Sequence, residues 1–238
     1  LAHHRATCSL LDWRSRRSLV DLAIMVVDRV WSRLLNIRTP GIGLARNNRF
    51  KQFADGAALT DHICQIIGNY DRPEPFFLWT HFLDCHLPYM PGRAPDWYRT
   101  TDRYLRPLGY STSPDLGCLF KRRPESAEEL ETWRHMYDAA ILYFDEQVGR
   151  VLKHLEDTGL RENTILILTS DHGEELGEHG NFNHYFRFYE HNVKVPMIFS
   201  PPNHSGANIS ALTSLLDIAP TISALAGLEP VPEWDGLA

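Results

Sequence analysis

Asp171 and His172 stand just past a short apolar run, Ile165 to Leu168, and are followed by Gly173, Glu174 and Glu175. A carboxylate offers a hard oxygen and an imidazole a nitrogen, donors that divalent cations from calcium to zinc accept. Gly173 lets the main chain turn sharply enough for both side chains to face one ion. Two donors alone do not hold a metal, and an isolated Asp-His pair favours a plainer reading, a helix cap followed by a surface histidine. His86, in Cys85-His-Leu-Pro-Tyr89, is the second candidate. An imidazole there can donate a hydrogen bond to an anionic oxygen or protonate a leaving group. It can equally be a turn histidine satisfied by backbone, and the residues alone weigh the two evenly.

These residues need elements that bring them together. Ile165 to Leu168 is continuously apolar and β-branched, as expected of a parallel strand covered on both faces. Ligands of open α/β sheets gather at the carboxyl ends of such strands, where Asp171 follows. His86 follows a second expected strand, Phe76 to Phe82, so the two loops are expected over the same sheet edge. Helices are expected at 18–35 and 56–68, and from a Ser126/Glu129 capping box to Glu156, ending near Gly159. A strand at 195–199 closed by Pro201-Pro202 and a last helix at 212–226 ending at Gly227 complete an α/β alternation. Residues 87–124, rich in Pro, Gly and Tyr, read as an insertion framing a cleft. Tyr89, Trp97, Tyr98, Tyr104 and Tyr110 there either stack on a sugar or aryl ring or pack the insertion itself.

Composition narrows the classes. With 43% hydrophobic and 23% charged residues over 238 positions, the chain can bury a sizeable core as one domain and is neither disordered nor fibrous. A net charge of −6 and no long basic run exclude nucleic acid as the main partner, Lys121-Arg122-Arg123 reading as a solvated loop. The apolar run Leu22 to Val27, bracketed by Asp21 and Asp28, is far too short for a membrane span and reads as part of an amphipathic helix. Cys8, Cys64, Cys85 and Cys118 lack zinc-site or disulfide-scaffold spacing, and the compartment is left open. The sequons at Asn203 and Asn208 read as accidental.

Four blocks in one order change the weight of the Asp-His pair. They are Phe76 to Tyr89; Tyr137 to Glu156; Thr164 to Gly180, with Ser170-Asp-His-Gly-Glu and Gly177-Glu-His-Gly; and Tyr189 to Phe199, continuing through Ser214 to Gly227 and Asp235-Gly236. Together they resemble the sulfatase branch of the alkaline phosphatase superfamily over roughly residues 59–236. The resemblance implies an alkaline phosphatase-like three-layer α/β/α sandwich with a mostly parallel sheet, incomplete at its N-terminus, and one partial catalytic domain over 1–238.

It further implies a metal held by Asp171 and His172, most often Ca2+ in the family, with Mn2+ or Zn2+ also suited to the histidine. His86 and His184 would contact the sulfate or the leaving oxygen, His184 standing where relatives carry lysine or histidine before Tyr-Glu. Arg187 is a weaker candidate for that position, His179 is expected to order the loop, and Glu174 and Glu175 either support the ligands from behind or stay solvated. His81 is expected to pack in the core.

The family's nucleophile is a formylglycine made from Cys- or Ser-x-Pro-x-Arg after a first strand ending in paired aspartates. None of the four cysteines fits that motif, and no such early strand is read here, so the chain is expected to lack the front of a larger enzyme. The implied reaction is hydrolysis of a small-molecule or carbohydrate sulfate ester. Competing readings are a phosphodiesterase, phosphonate hydrolase or phosphoglycerol transferase of the same superfamily, or a non-catalytic member that keeps the fold alone.

Overall fold

A computed structural model describes the backbone of residues 23–26, most of residues 55–89, a short piece at 103–109, and nearly all of 123–238. Trp97, Tyr98, Tyr110 and most of the expected insertion lie outside the described residues, as do Cys8 and Cys118. The elements are β1 (Ala23–Val26), α1 (Gly56–Gly68), β2 (Leu78–Thr80), α2 (Ala127–Asp157), β3 (Ile165–Thr169), β4 (Glu175–Leu176), β5 (Phe182–Asn183), α3 (Glu190–Val193), β6 (Met197–Ser200) and α4 (Ile218–Leu225).

The main sheet has the order β2-β1-β3-β6. β1 is parallel to both β2 and β3, while β6 pairs antiparallel on the far side of β3. β2 and β3 therefore point their carboxyl ends at the same edge, the arrangement that gathers ligand-binding loops.

β1 corrects the sequence reading twice. The helix expected at 18–35 contains a strand, and an early strand does precede the others. A short apolar run holding Ile and two Val is too brief to decide between helix and strand by periodicity, and pairing with parallel neighbours on both sides decides it. Val27 and Asp28, which follow β1, lie outside the described residues. The strand expected at 76–82 is also shorter, Leu78–Thr80.

Both faces of β3 are covered, which explains its unbroken apolar sequence. Leu166 and Leu168 pack with Ile63 and Ile67 of α1 and Val151 and Leu155 of α2. Ile165 and Ile167 face the other way, onto Ile218, Ile222 and Leu225 of α4. The layers are thus helix, sheet, helix.

The helices end where their caps dictate. Asp55 accepts from the Ala57 amide at the start of α1, and Ser126 accepts from the Glu129 amide at the start of α2. The Glu129 carboxylate reaches back to the amide of Glu125 rather than to that of Ser126, so the expected capping box closes one residue early. Gly159, at φ 71°, turns the chain out of α2 toward β3. α4 is preceded by a separate 3-10 turn, Leu215–Asp217, within the span expected as one helix.

The amino-terminal half of α2 organises a second core. Trp133, Met136, Ala139, Ala140 and Tyr143 pack with Tyr89, Tyr104 and Leu105, and Leu176 and Phe182 of the β4–β5 hairpin lean on the same cluster. Tyr89 is fully buried, edge-on to Trp133 and Tyr137. Tyr104 is buried against Tyr143, its hydroxyl bonded to the Glu146 carboxylate at 2.5 Å. Of the two readings open for the insertion tyrosines, packing holds for these two. One helix face thereby clamps the loop carrying His86 and the hairpin leading to His184.

Candidate active site

The loop after β3 is held by its main chain. The Gly173 amide donates to the Asn192 carbonyl of α3 at 2.8 Å. A Cβ on Gly173 would lie 1.9 Å from the His191 carbonyl oxygen, so the close approach of loop to α3 requires glycine. This contact, rather than the sharp turn expected from sequence, explains the residue, because Gly173 is not among the glycines with positive φ. Asp171 Oδ1 accepts from the His172 amide at 2.8 Å, and Ser170 Oγ donates to the His172 carbonyl at 3.1 Å.

The His172 ring has its Nδ1 on the Gly173 carbonyl oxygen at 2.8 Å. A carbonyl can only accept, so Nδ1 carries the hydrogen and any ligand bond from this ring comes from Nε2. That Nε2 lies 3.6 Å from Asp171 Oδ1, and both side chains are largely but not wholly buried. The two donors expected to share an ion thus sit side by side.

His86 follows β2 in a turn in which its amide donates to the Leu83 carbonyl at 3.2 Å. Its Nδ1 lies on the Leu87 carbonyl, which again leaves Nε2 as the ring nitrogen not committed to the turn. Asp84 secures the base of this loop. Its buried carboxylate accepts from the Gly56 amide at 3.1 Å at the start of α1, where a Cβ on residue 56 would meet the carboxylate at 2.6 Å. No periodicity in the sequence singles out Asp84, because its partner lies 28 positions away.

His184 follows β5, whose pairing with β4 sets Glu175 opposite Asn183 and Leu176 opposite Phe182. Asn183, at φ 65°, bends the chain so that His184 leaves the hairpin toward the sheet edge. Arg134 Nε of α2 donates to the Leu176 carbonyl at 3.2 Å and ties the hairpin to the helix. The His184 ring stacks on His172, centroids 4.1 Å apart, and lies edge-on to His86 at 5.2 Å.

Three separate segments therefore deliver His86, Asp171, His172 and His184 to one place. His184 lies at the centre of the three rings. Its Nδ1 is 3.2 Å from Oε1 of Glu174, a side chain only 5% exposed. Sequence leaves both Glu174 and Glu175 undecided, because burial of a carboxylate by distant segments has no local signature; in the fold Glu174 meets His184 and Glu175 meets His179. Burial pushes the Tyr89 hydroxyl well above the usual phenol range, the Glu174 carboxylate adding to it. Tyr137 is raised by burial first, with Cys85 and Glu174 contributing.

His179 lies apart from the three rings. It stacks on Tyr189 at 4.1 Å and its Nδ1 meets the buried Glu175 carboxylate at 3.1 Å, consistent with ordering the loop. Arg187 makes its described contact through its carbonyl, which accepts from Asn192 Nδ2 at 3.4 Å. Among the described residues no third His, Cys, Asp or Glu joins Asp171 and His172 in an arrangement that would hold a metal, and no helix is long and apolar enough to cross a membrane.

The sulfatase family model matches residues 28–228. The chain belongs to the sulfatase family. A sulfatase of Formosa agariphila is 32% identical over 68% of this sulfatase-family chain and 34% of its own length. A choline-sulfatase of Rhizobium meliloti is 30% identical over 69% of this chain and 34% of its own. The chain spans about a third of the length of these curated relatives. Among solved structures, the phosphonate monoester hydrolase of Silicibacter pomeroyi superposes with a TM-score of 0.60 at 25% identity, covering 78% of this chain and 40% of that one. The fold is accordingly the alkaline phosphatase-like α/β fold of the sulfatases.

Proposed function

We propose that this chain supplies the metal corner and the anion-contacting histidines of a sulfuric ester hydrolase acting on a small-molecule or carbohydrate sulfate ester. The observation that carries the reading is the convergence of His86, Asp171, His172 and His184 at the carboxyl edge of the sheet. Choline-sulfatase among the relatives supports sulfate-ester chemistry. Residues 1–238 are read as one catalytic unit.

The donor chemistry at Asp171 and His172 fits a divalent cation. A carboxylate oxygen and an imidazole Nε2 lie 3.6 Å apart, with the opposite ring nitrogen already committed to backbone. Asp171 and His172 would hold the ion, with further ligands from residues outside those described. Oxygen ligation favours Ca2+, and the imidazole also suits Mn2+ or Zn2+. Bound there, a divalent ion supplies positive charge against developing charge on the sulfuryl oxygens.

The chain's own residues do the rest of the positioning. His86 and His184 present Nε2 as hydrogen-bond donors to sulfuryl oxygens when protonated, and either can pass that proton to the departing alkoxide. The tight packing of loop and hairpin against α2 means this charge is arranged before the substrate arrives. A formylglycine nucleophile would be supplied from outside these 238 residues, since no cysteine here fits the modification motif. Asp171→Ala in the complete protein should abolish metal content and sulfate-ester hydrolysis together. Hydrolysis retained with intact metal would overturn the assignment.

The likeness to a phosphonate monoester hydrolase favours one second reading, phosphonate ester cleavage at the same site. Comparing kcat/KM for an aryl sulfate and an aryl phosphonate monoester separates the two.

A further inference from the structure

The three rings of the site share one feature. Each commits Nδ1 to an acceptor, but the acceptors differ in kind. His86 and His172 use main-chain carbonyls one residue along, which come with the turn itself. His184 uses a side chain ten positions away, the carboxylate of Glu174. The Glu174 side chain is almost fully buried where its carboxylate meets the edge of the ring at Nδ1, and Tyr89 of the His86 loop and Tyr137 of α2 lie close enough to feel its charge.

We infer that Glu174 is the positioning residue of His184, fixing which ring nitrogen carries the hydrogen and how the ring stacks, so that Nε2 is the atom offered to the substrate. The reading of His184 as a substrate-contacting group rests on the proposed function; the positioning itself does not. A neutral imidazole carries one hydrogen, and a carboxylate facing Nδ1 favours placing it there, because an unprotonated Nδ1 would set two lone pairs against each other. The carboxylate also restricts ring rotation, which matters because the His184 ring sits between His172, on which it stacks at 4.1 Å, and His86, to which it lies edge-on at 5.2 Å. A lysine at such a position needs no partner of this kind, since its ammonium has no tautomers and three equivalent donors. A histidine does. Glu175 shows that the carboxylate is specific to its ring, because it turns the other way and holds His179.

The test is the imidazole 15N spectrum of the labelled chain at about pH 8.5, above the ordinary histidine range, where neutral rings report their tautomer. A His184→Gln variant identifies the His184 signals. The wild-type chain should show hydrogen on Nδ1 for His86, His172 and His184. In Glu174→Ala, His184 alone should move to the Nε2–H form or to a mixture, while His86 and His172, whose carbonyl partners remain, keep their signals. A merely structural role for Glu174 would disturb all three rings. An unprotonated Nδ1 on His184 in the wild-type chain overturns the inference. So does a Glu174→Ala chain in which His184 keeps its signature beside unchanged His86 and His172. Loss of all three signatures in the alanine variant marks Glu174 as merely structural and overturns the inference as well. None of these outcomes depends on sulfatase activity, so failure here and failure of the proposed reaction are separable.

Discussion

The two halves of the site are held by different physics. Asp171 and His172 sit on a loop fixed by main-chain contacts: the Gly173 amide on Asn192, the bare Cα of Gly173 against the His191 carbonyl, and the His172 ring on its own neighbour's carbonyl. On the other side, the segments carrying His86 and His184 are anchored by side chains, the His86 loop through buried Asp84 and the aromatic cluster on α2 and the His184 ring through buried Glu174, although the His86 ring itself rests on the Leu87 carbonyl. Backbone fixation suits the metal corner proposed here, where ligand atoms must keep their place whatever the neighbouring side chains do. Side-chain fixation makes the half proposed to contact the anion depend on the packing of α2, and so separates the two halves in their response to perturbation.

Alkaline pH should produce the largest difference. Tyr89, Tyr104, Tyr137 and Tyr143 are all raised above the ordinary phenol value, burial being the leading cause in each. The folded state keeps these protons where the unfolded chain loses them. Their stabilisation is therefore fully present below about pH 10 and is lost as pH rises toward the folded values, by up to about 1.4 kcal/mol per pH unit for each tyrosine. Tyrosinate absorbance at 295 nm should rise together with loss of near-ultraviolet circular dichroism. Ordinary titration near pH 10 with the fold intact would remove the distinction between the halves.

Trp133→Ala comes next. It deletes a fully buried ring that touches both Tyr89 and Phe182, and should cost about 3 to 5 kcal/mol in urea unfolding. If the halves are held independently, the His86 and His184 signals should change far more than those of His172.

Gly173→Ala inverts that experiment. The new methyl group must displace the His191 carbonyl, at a cost of about 1 to 3 kcal/mol. Metal affinity should fall while the aromatic cluster keeps its near-ultraviolet spectrum, and unchanged metal affinity would mean that the loop does not depend on this contact.

The smallest effect lies at low pH in the hairpin. Partial burial opposes the Glu178 charge, but the amides of Glu178 and Leu176, with His191 and Arg134 nearby, hold its carboxyl below the usual range. Its contribution is present above the unfolded value near pH 4 and is lost as pH falls through the lower folded value. Glu178→Gln should flatten the acid limb of the stability profile by under about 1 kcal/mol.

What the sequence disclosed follows the same division. β3, α1 and α2 were legible because their signals are local: a continuous apolar run, a helical period, a serine before Glu129, a glycine after Thr158. β1 was not, since a short apolar run acquires its identity only from the strands beside it. Among the site residues, Asp171 and His172 carry a local spacing, and His86 a local turn. Glu174, Asp84 and Tyr89 fall inside the blocks that carry the resemblance, but each acts through partners brought close by the fold, so their immediate sequence leaves their roles open.

The most direct test of the central claim, that one divalent ion site lies against three converging histidines, is a titration of the labelled chain with Mn2+ followed through imidazole resonances. Paramagnetic broadening should strike His172 first, then His184 and His86, while His62 and His154 on the helices stay sharp. Broadening that spares His172 or falls elsewhere would contradict the assignment.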